Sequence, residues 1–202
     1  MKKYPALCII ETASVAIGLK CTDAMLKVSP VTILKSGSIH PGKFLTLVGG
    51  SVASVEESYN IGKHLASGDI RDHVFLPDIH ETVIEAILGG RNKCSEEAIG
   101  IFETKTLCAI VKAADIAVKS MEIEIVELRF SDDMGGKAFV IYTGRIEEVE
   151  AALDISIQSM EDVKNFYNKI LIPRPDDNLC LQLDNSSIFS VNPVLSLSDG
   201  EI

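Results

Sequence analysis

The residues of this chain that could do chemistry are few and scattered. His64, His73 and His80 follow one another at spacings of 9 and 7, which would suit imidazoles gathering on a metal ion. No Cys, Asp or Glu stands at ligand spacing beside them, so they read as surface or capping histidines. Glu11 and Glu103 recur at equivalent places, but nothing puts both carboxylates across one substrate, as general acid–base work requires. Gly42-Lys43 and Gly136-Lys137 have the glycine and lysine of a phosphate cradle and lack the rest of a P-loop. Cys8, Cys21, Cys94, Cys108 and Cys180 are odd in number and show no CxxC spacing. They read as reduced cytosolic thiols, with Cys8 and Cys108 as inert core residues. No Ser-His-Asp arrangement and no dinucleotide fingerprint is present. What remains is His40, in a small polar loop rich in glycine and serine.

The elements that must position these residues occur twice. Glu11-Thr12 returns at Glu103-Thr104, and at the same offset of 92 Lys20 meets Lys112, Asp23 meets Asp115 and Lys27 meets Lys119. At an offset of 94, Gly42-Lys43 meets Gly136-Lys137, Gly50 meets Gly144 and Val55-Glu56 meets Val149-Glu150. At 96, Leu76-Pro77 answers Ile172-Pro173. A repeat this long means two copies of one small domain. The boundaries read as residues 1–90 and 91–182, with a tail at 183–202. The polar, turn-rich residues after Pro175 predict an end that is mobile or docked on a neighbour.

Each copy reads strand, helix, strand, strand, helix, strand, an α/β fold of the α+β sandwich, ferredoxin-like kind. Ala6 to Ile10 is an apolar strand. Thr12 and Ser14 supply N-cap chemistry, and Ile17, Cys21, Ala24, Met25 and Val28 form one helical face ended by Pro30. Ala109, Ala113, Ile116, Ala117 and Ser120 repeat it. Strands are predicted at Val31–Leu34, Phe44–Val48, Ile123–Phe130 and Ala138–Tyr142. Second helices are predicted at Val52–His64 and Ile146–Ile157, and short last strands at Val74–Leu76 and Ile170–Ile172.

Composition narrows the function. Hydrophobic residues make up 47% and Trp is absent, so the cores are aliphatic and alanine-rich. A net charge of −10 argues against a general nucleic-acid surface. No apolar stretch approaches a membrane span, and the apolar run behind Met1-Lys2-Lys3 is too short for a signal peptide.

The two copies differ most between their paired strands: Lys35-Ser36-Gly37-Ser38-Ile39-His40-Pro41-Gly42-Lys43 in the first, Ser131-Asp132-Asp133-Met134-Gly135-Gly136-Lys137 in the second. A duplicated scaffold that diverges in a loop places function there. The order of Glu11-Thr12, Asp23-Ala24-Met25-Leu26-Lys27, a glycine loop, and Ile172-Pro173-Arg174-Pro175 resembles bacterial microcompartment shell proteins. With Ile39-His40-Pro41-Gly42-Lys43-Phe44 and Leu76-Pro77-Asp78-Ile79-His80, the resemblance points to tandem-domain members, above all the propanediol-utilisation T-type trimers. It covers about residues 5 to 178, and a permuted order of elements within the copies stays open.

The resemblance implies a homotrimer shaped as a pseudohexameric disc. Ser38, Ile39, His40, Pro41, Gly42, Met134, Gly135 and Gly136 would line a central pore for small polar metabolites. Discs would tile with other shell proteins into the microcompartment shell in the cytoplasm, with no membrane or nucleic-acid partner and no catalysis. Lys27, Lys119 and Arg174 match edge residues, and Asp78 stands in Arg174's place in the first copy. T-type members have a cysteine before Pro-Gly-Lys, where three around the axis hold an iron–sulfur cluster; this chain has His40. Thiolates are the usual cluster ligands. Three imidazoles would instead suit zinc or a similar metal, or form a ring that charges as pH falls. Three readings follow: a pore-forming shell protein, a redox or metal-binding shell component with His40 as ligand, and a ligand-binding regulatory trimer.

Overall fold

The computed structural model describes residues 5–94, 97–130 and 134–192. Two four-stranded antiparallel sheets dominate it. In the first copy β1 (Ala6–Thr12), α1 (Val15–Val28), β2 (Thr32–Ile39), β3 (Lys43–Gly50), α2 (Val52–Ala66) and β4 (Ile70–Leu76) give the sheet order β2-β3-β1-β4. A short helix, α3 (Glu81–Ile87), follows. The second copy has β5 (Ala98–Thr104), α4 (Leu107–Ser120), β6 (Ile123–Phe130), β7 (Ala138–Gly144), α5 (Ile146–Gln158) and β8 (Phe166–Pro173), in the order β6-β7-β5-β8. It ends in α6 (Asp177–Asn185). Both copies run in the same order, without permutation between them.

Local chemistry accounts for the element ends. Ser14 caps α1 by accepting from the Ile17 amide at 3.3 Å, and Thr106 does the same for Ala109 at the start of α4. Thr12 instead donates its hydroxyl to the Ser14 carbonyl at 2.9 Å. Strands β1 and β3 are apolar on both sides because both sheet faces are covered. Strand β2 runs on to Ile39, past the expected Leu34, because its polar residues lie at a sheet edge where pairing with β3 needs no apolar partner.

Two expectations need correction. The segment after Pro175 is not an irregular tail: Asp176 caps α6 through the Asn178 amide at 2.9 Å, and the helix runs to Asn185. Its weak apolar content hid the helix from a periodicity reading. Val28 does not belong to the buried face of α1, which is Gly18, Cys21, Thr22 and Met25. Val28 is exposed.

The cores reveal how the copies are joined. Ala6, Cys8, Ile10, Met25, Val48 and Val55 pack under α1 and α2 on one face of the first sheet. The other face, Leu7, Ile9, Leu45, Leu47, Val74 and Leu76, is buried against the second copy, where Leu107, Ile110, Val111 and Ala114 of α4 lie in the same cluster. Helix α4 therefore serves two sheets, its own and that of the first copy. Helix α3 crosses the same way and packs on β6. The corresponding face of the second sheet, Ile99, Phe139 and Ile141 with Ile101 and Ile172, is covered in part by Cys94, Met134 and Leu183 of the same chain and leaves Ile170 exposed.

Candidate functional site: the paired loops and the open seam

The first loop is a tight connection between β2 and β3. His40-Pro41 is a cis peptide, and the Gly42 amide donates to the Ile39 carbonyl at 2.9 Å, with Gly42 at φ 83°. Ser38, His40, Pro41 and Gly42 are exposed and Ile39 is half-buried against the core. In the second loop Gly135 (φ 61°) and Gly136 (φ 82°) use backbone conformations that side chains rarely adopt. Asp132 and Asp133 lie outside the described residues.

The fold brings the two loops together. A Cβ on Gly136 would stand 3.2 Å from Pro41 Cδ, 3.3 Å from Lys43 Nζ and 3.4 Å from the His40 carbonyl oxygen. Glycine is needed there for both φ and room. Met134 takes a different direction: its side chain is half-buried at the outer face of the second sheet, and its sulfur accepts from Arg129 Nε at 3.5 Å.

Beneath the loops lies an ion pair that sequence reasoning did not assemble. Lys43 Nζ reaches Glu11 Oε1 at 2.5 Å, with the glutamate side chain 1% exposed. Burial raises the Glu11 carboxyl above the ordinary 4.5, and Lys43 pulls it back down. In the second copy the equivalent Lys137 lies over the Tyr167 ring at 4.2 Å instead, and Glu103 is half-buried.

Of the edge candidates, Lys119 and Asp78 meet between the two copies. Lys119 pairs with Asp115 at 2.6 Å and also donates to the Asp78 carbonyl oxygen. The other Asp115 oxygen accepts from the His80 amide at 2.7 Å. Lys27 pairs with Asp23 at 2.6 Å in the open. Arg174 is exposed, holds φ 48°, and donates its amide to the Glu97 carbonyl at 2.8 Å. His80 caps α3 through the Thr82 amide, as expected of a capping histidine, and His64 is exposed. His73 is not a surface residue: it is half-buried, with Nδ1 2.8 Å from the Tyr59 hydroxyl.

The donor set does not fit an iron–sulfur cluster, because neither loop contains a thiol. Among the described residues no group of three or more His, Cys, Asp or Glu could hold a metal within one chain. Among the described residues of one chain, His40 has no partners with which to hold a metal.

The sequence carries a signal for the open helix face. Val15, Leu19 and Leu26 answer Leu107, Val111 and Val118 at the offset of 92. Both stripes are apolar, yet the first is exposed and the second packs into the core.

The BMC domain family model matches residues 6–79 and 98–175, each in one unbroken stretch. The chain is 34% identical over 178 residues to the bacterial microcompartment shell protein PduT of Citrobacter freundii, covering 88% of this chain and 97% of that one. It is 26% identical to the carboxysome assembly protein CcmO of Synechocystis, covering 84% of this chain and 61% of the relative. A solved microcompartment protein from Desulfitobacterium hafniense superposes with TM-score 0.76 at 33% identity, over 86% of this chain and 97% of that one. No helix among the described residues is long and apolar enough to cross a membrane. With two such domains in tandem, the chain belongs to the BMC-domain family of bacterial microcompartment shell proteins.

Proposed function

We propose that three copies of this chain close into a pseudohexameric disc whose six loops surround a pore for small polar solutes, and that the protein is structural and not an enzyme. The observation that carries this is the unequal seam. Within the chain, α4 covers the outer face of the first sheet. Its counterpart α1 offers Val15, Leu19 and Leu26 to solvent, and the second sheet offers Ile170, 53% exposed where the equivalent Val74 is 7% exposed. Helix face and sheet face are complementary halves of one head-to-tail contact. Repeating the step that joins the copies places α1 of one chain on the second sheet of the next. A head-to-tail contact either closes into a ring or runs on as a filament. Six domains in a ring are three chains, the arrangement that the resemblance to tandem shell proteins implies.

On this reading each disc presents three His40 loops and three Gly135-Gly136 loops to the axis, alternating because each pair already adjoins within one chain. Backbone dipoles, Ser38 and His40 set which solutes pass. Lys27, Asp78, Lys119 and Arg174 lie along the rim, where discs and other shell proteins would meet. Light scattering on the purified protein should give the mass of three chains, and negative-stain images should show discs of hexagonal outline with a central depression. A monomeric mass at micromolar concentration would overturn the reading.

A further inference from the structure

Two of the five cysteines meet where the segment between the copies runs beside the last helix. The Cys94 amide donates to Asp184 Oδ1 at 2.7 Å, and Arg91 donates to the Leu183 carbonyl. Cys94 and Leu183 both pack against the second sheet's outer cluster. Asp184 lies four residues after Cys180, so the two share one face of α6. The face that receives the Cys94 backbone therefore also carries the Cys180 sulfur, and the two thiols share a hydrogen bond. Cys94 is half-buried and Cys180 is buried.

We propose that Cys94 and Cys180 form a reversible disulfide that fastens α6 to the segment joining the two copies. The oxidant class is a small-molecule disulfide. The half-buried Cys94 thiol, as its thiolate, attacks one sulfur of oxidised glutathione, forming a mixed disulfide and releasing one glutathione thiolate, which takes up the Cys94 proton. The Cys180 thiol then gives up its proton and attacks the Cys94 sulfur, and the second glutathione thiol leaves. Two protein thiols are oxidised and one oxidised glutathione is reduced to two thiols. Burial, and then the adjoining Cys180 thiol, push the Cys94 thiol up to about 12. The exchange is accordingly slow at neutral pH and accelerates about tenfold per pH unit.

The bond would act on assembly. Helix α6 is the second-copy counterpart of α3, which packs on β6 across the seam inside the chain. Fastening α6 would fix the element that meets β2 of the next chain. That consequence rests on the trimer reading; the bond itself does not.

The full-length protein is incubated with oxidised glutathione at mildly alkaline pH, and its thiols are counted before and after unfolding. The free thiols should fall from five by two. Peptide mapping should recover a Cys94–Cys180 cross-link that dithiothreitol removes and that Cys94→Ser and Cys180→Ser each abolish. Amide exchange in α6 should slow about tenfold or more in the oxidised form. A glutathione adduct that stays on Cys94 without the cross-link, a link to another cysteine, or an unchanged thiol count would each overturn the proposal. Mapping reads the bond within one chain, so a failed trimer leaves this result standing.

Discussion

Leu19 and Val111 hold the same place on equivalent helices, yet Leu19 is 56% exposed and Val111 is fully buried beneath the first sheet. One chain thus displays the same helix face twice, once packed and once exposed, and the trimer reading makes the exposed copy an interchain contact. Burying a leucine side chain is worth roughly 1.5–3 kcal/mol, and a ring of three chains would gain it at three seams. Leu19→Asp should leave the fold intact and give monomers by light scattering, with a far-ultraviolet circular dichroism spectrum like that of the wild type. Val111→Asp should cost at least ~3 kcal/mol of folding stability, because it buries a carboxylate with no partner. If both variants lose the fold, or if both remain trimers, the equivalence of the two contacts is wrong.

The Glu11–Lys43 pair predicts a pH dependence whose sign follows from burial. The folded protein holds the Glu11 proton more tightly than the unfolded chain does, since desolvation raises this carboxyl above 4.5. The folded state therefore binds more protons in that window, and this group's contribution to stability falls as pH rises from about 4.5 through the raised value. Glu11→Gln should flatten that part of the curve. Urea midpoints measured from pH 4.5 to neutrality would show it, and a slope unchanged by the substitution would assign the dependence to another group.

The rim reading makes a separate prediction. Lys119 is already engaged with Asp115 and the Asp78 carbonyl, so changing it would disturb the seam inside the chain as well as any edge. Arg174 is the cleaner probe, being exposed and bonded to the framework through its backbone. Arg174→Asn removes the charge and keeps a residue that tolerates φ 48°. Trimers should persist in solution while flat sheets disappear from electron micrographs. Sheets as extensive as those of the wild type would remove Arg174 from the edge.

How much of this was legible in the sequence varies with how local the cause is. Agreement between two copies located the strands and long helices, because Ser14 and Thr106 cap and Cys21 and Ala113 face inward in both. Helix α6 was missed because Leu179, Cys180 and Leu183 make too thin a stripe to register. The Glu11–Lys43 pair was missed for another reason: the residues stand 32 apart and meet only through the β1–β3 register that sets Thr12 against Phe44. His73 was misjudged because Tyr59, its partner, lies on a different element. The seam depended on comparing burial at paired positions, and burial is a property of the fold that residue types alone do not give.

Metal content tests the remaining role of His40. A site built from His40 alone would take one imidazole from each of three chains, with an open fourth position if zinc were bound. A pore without metal predicts equal and negligible metal in wild-type protein and in His40→Ala, both prepared without an affinity tag. One zinc per three chains in the wild type, lost in the variant, would overturn that expectation and make the axis a metal site. His40→Ala should form trimers in either case, since His40 is exposed and the contact with Gly136 is made by its carbonyl oxygen and not its ring. Loss of trimers in this variant would instead mean that the imidazole is part of the assembly contact.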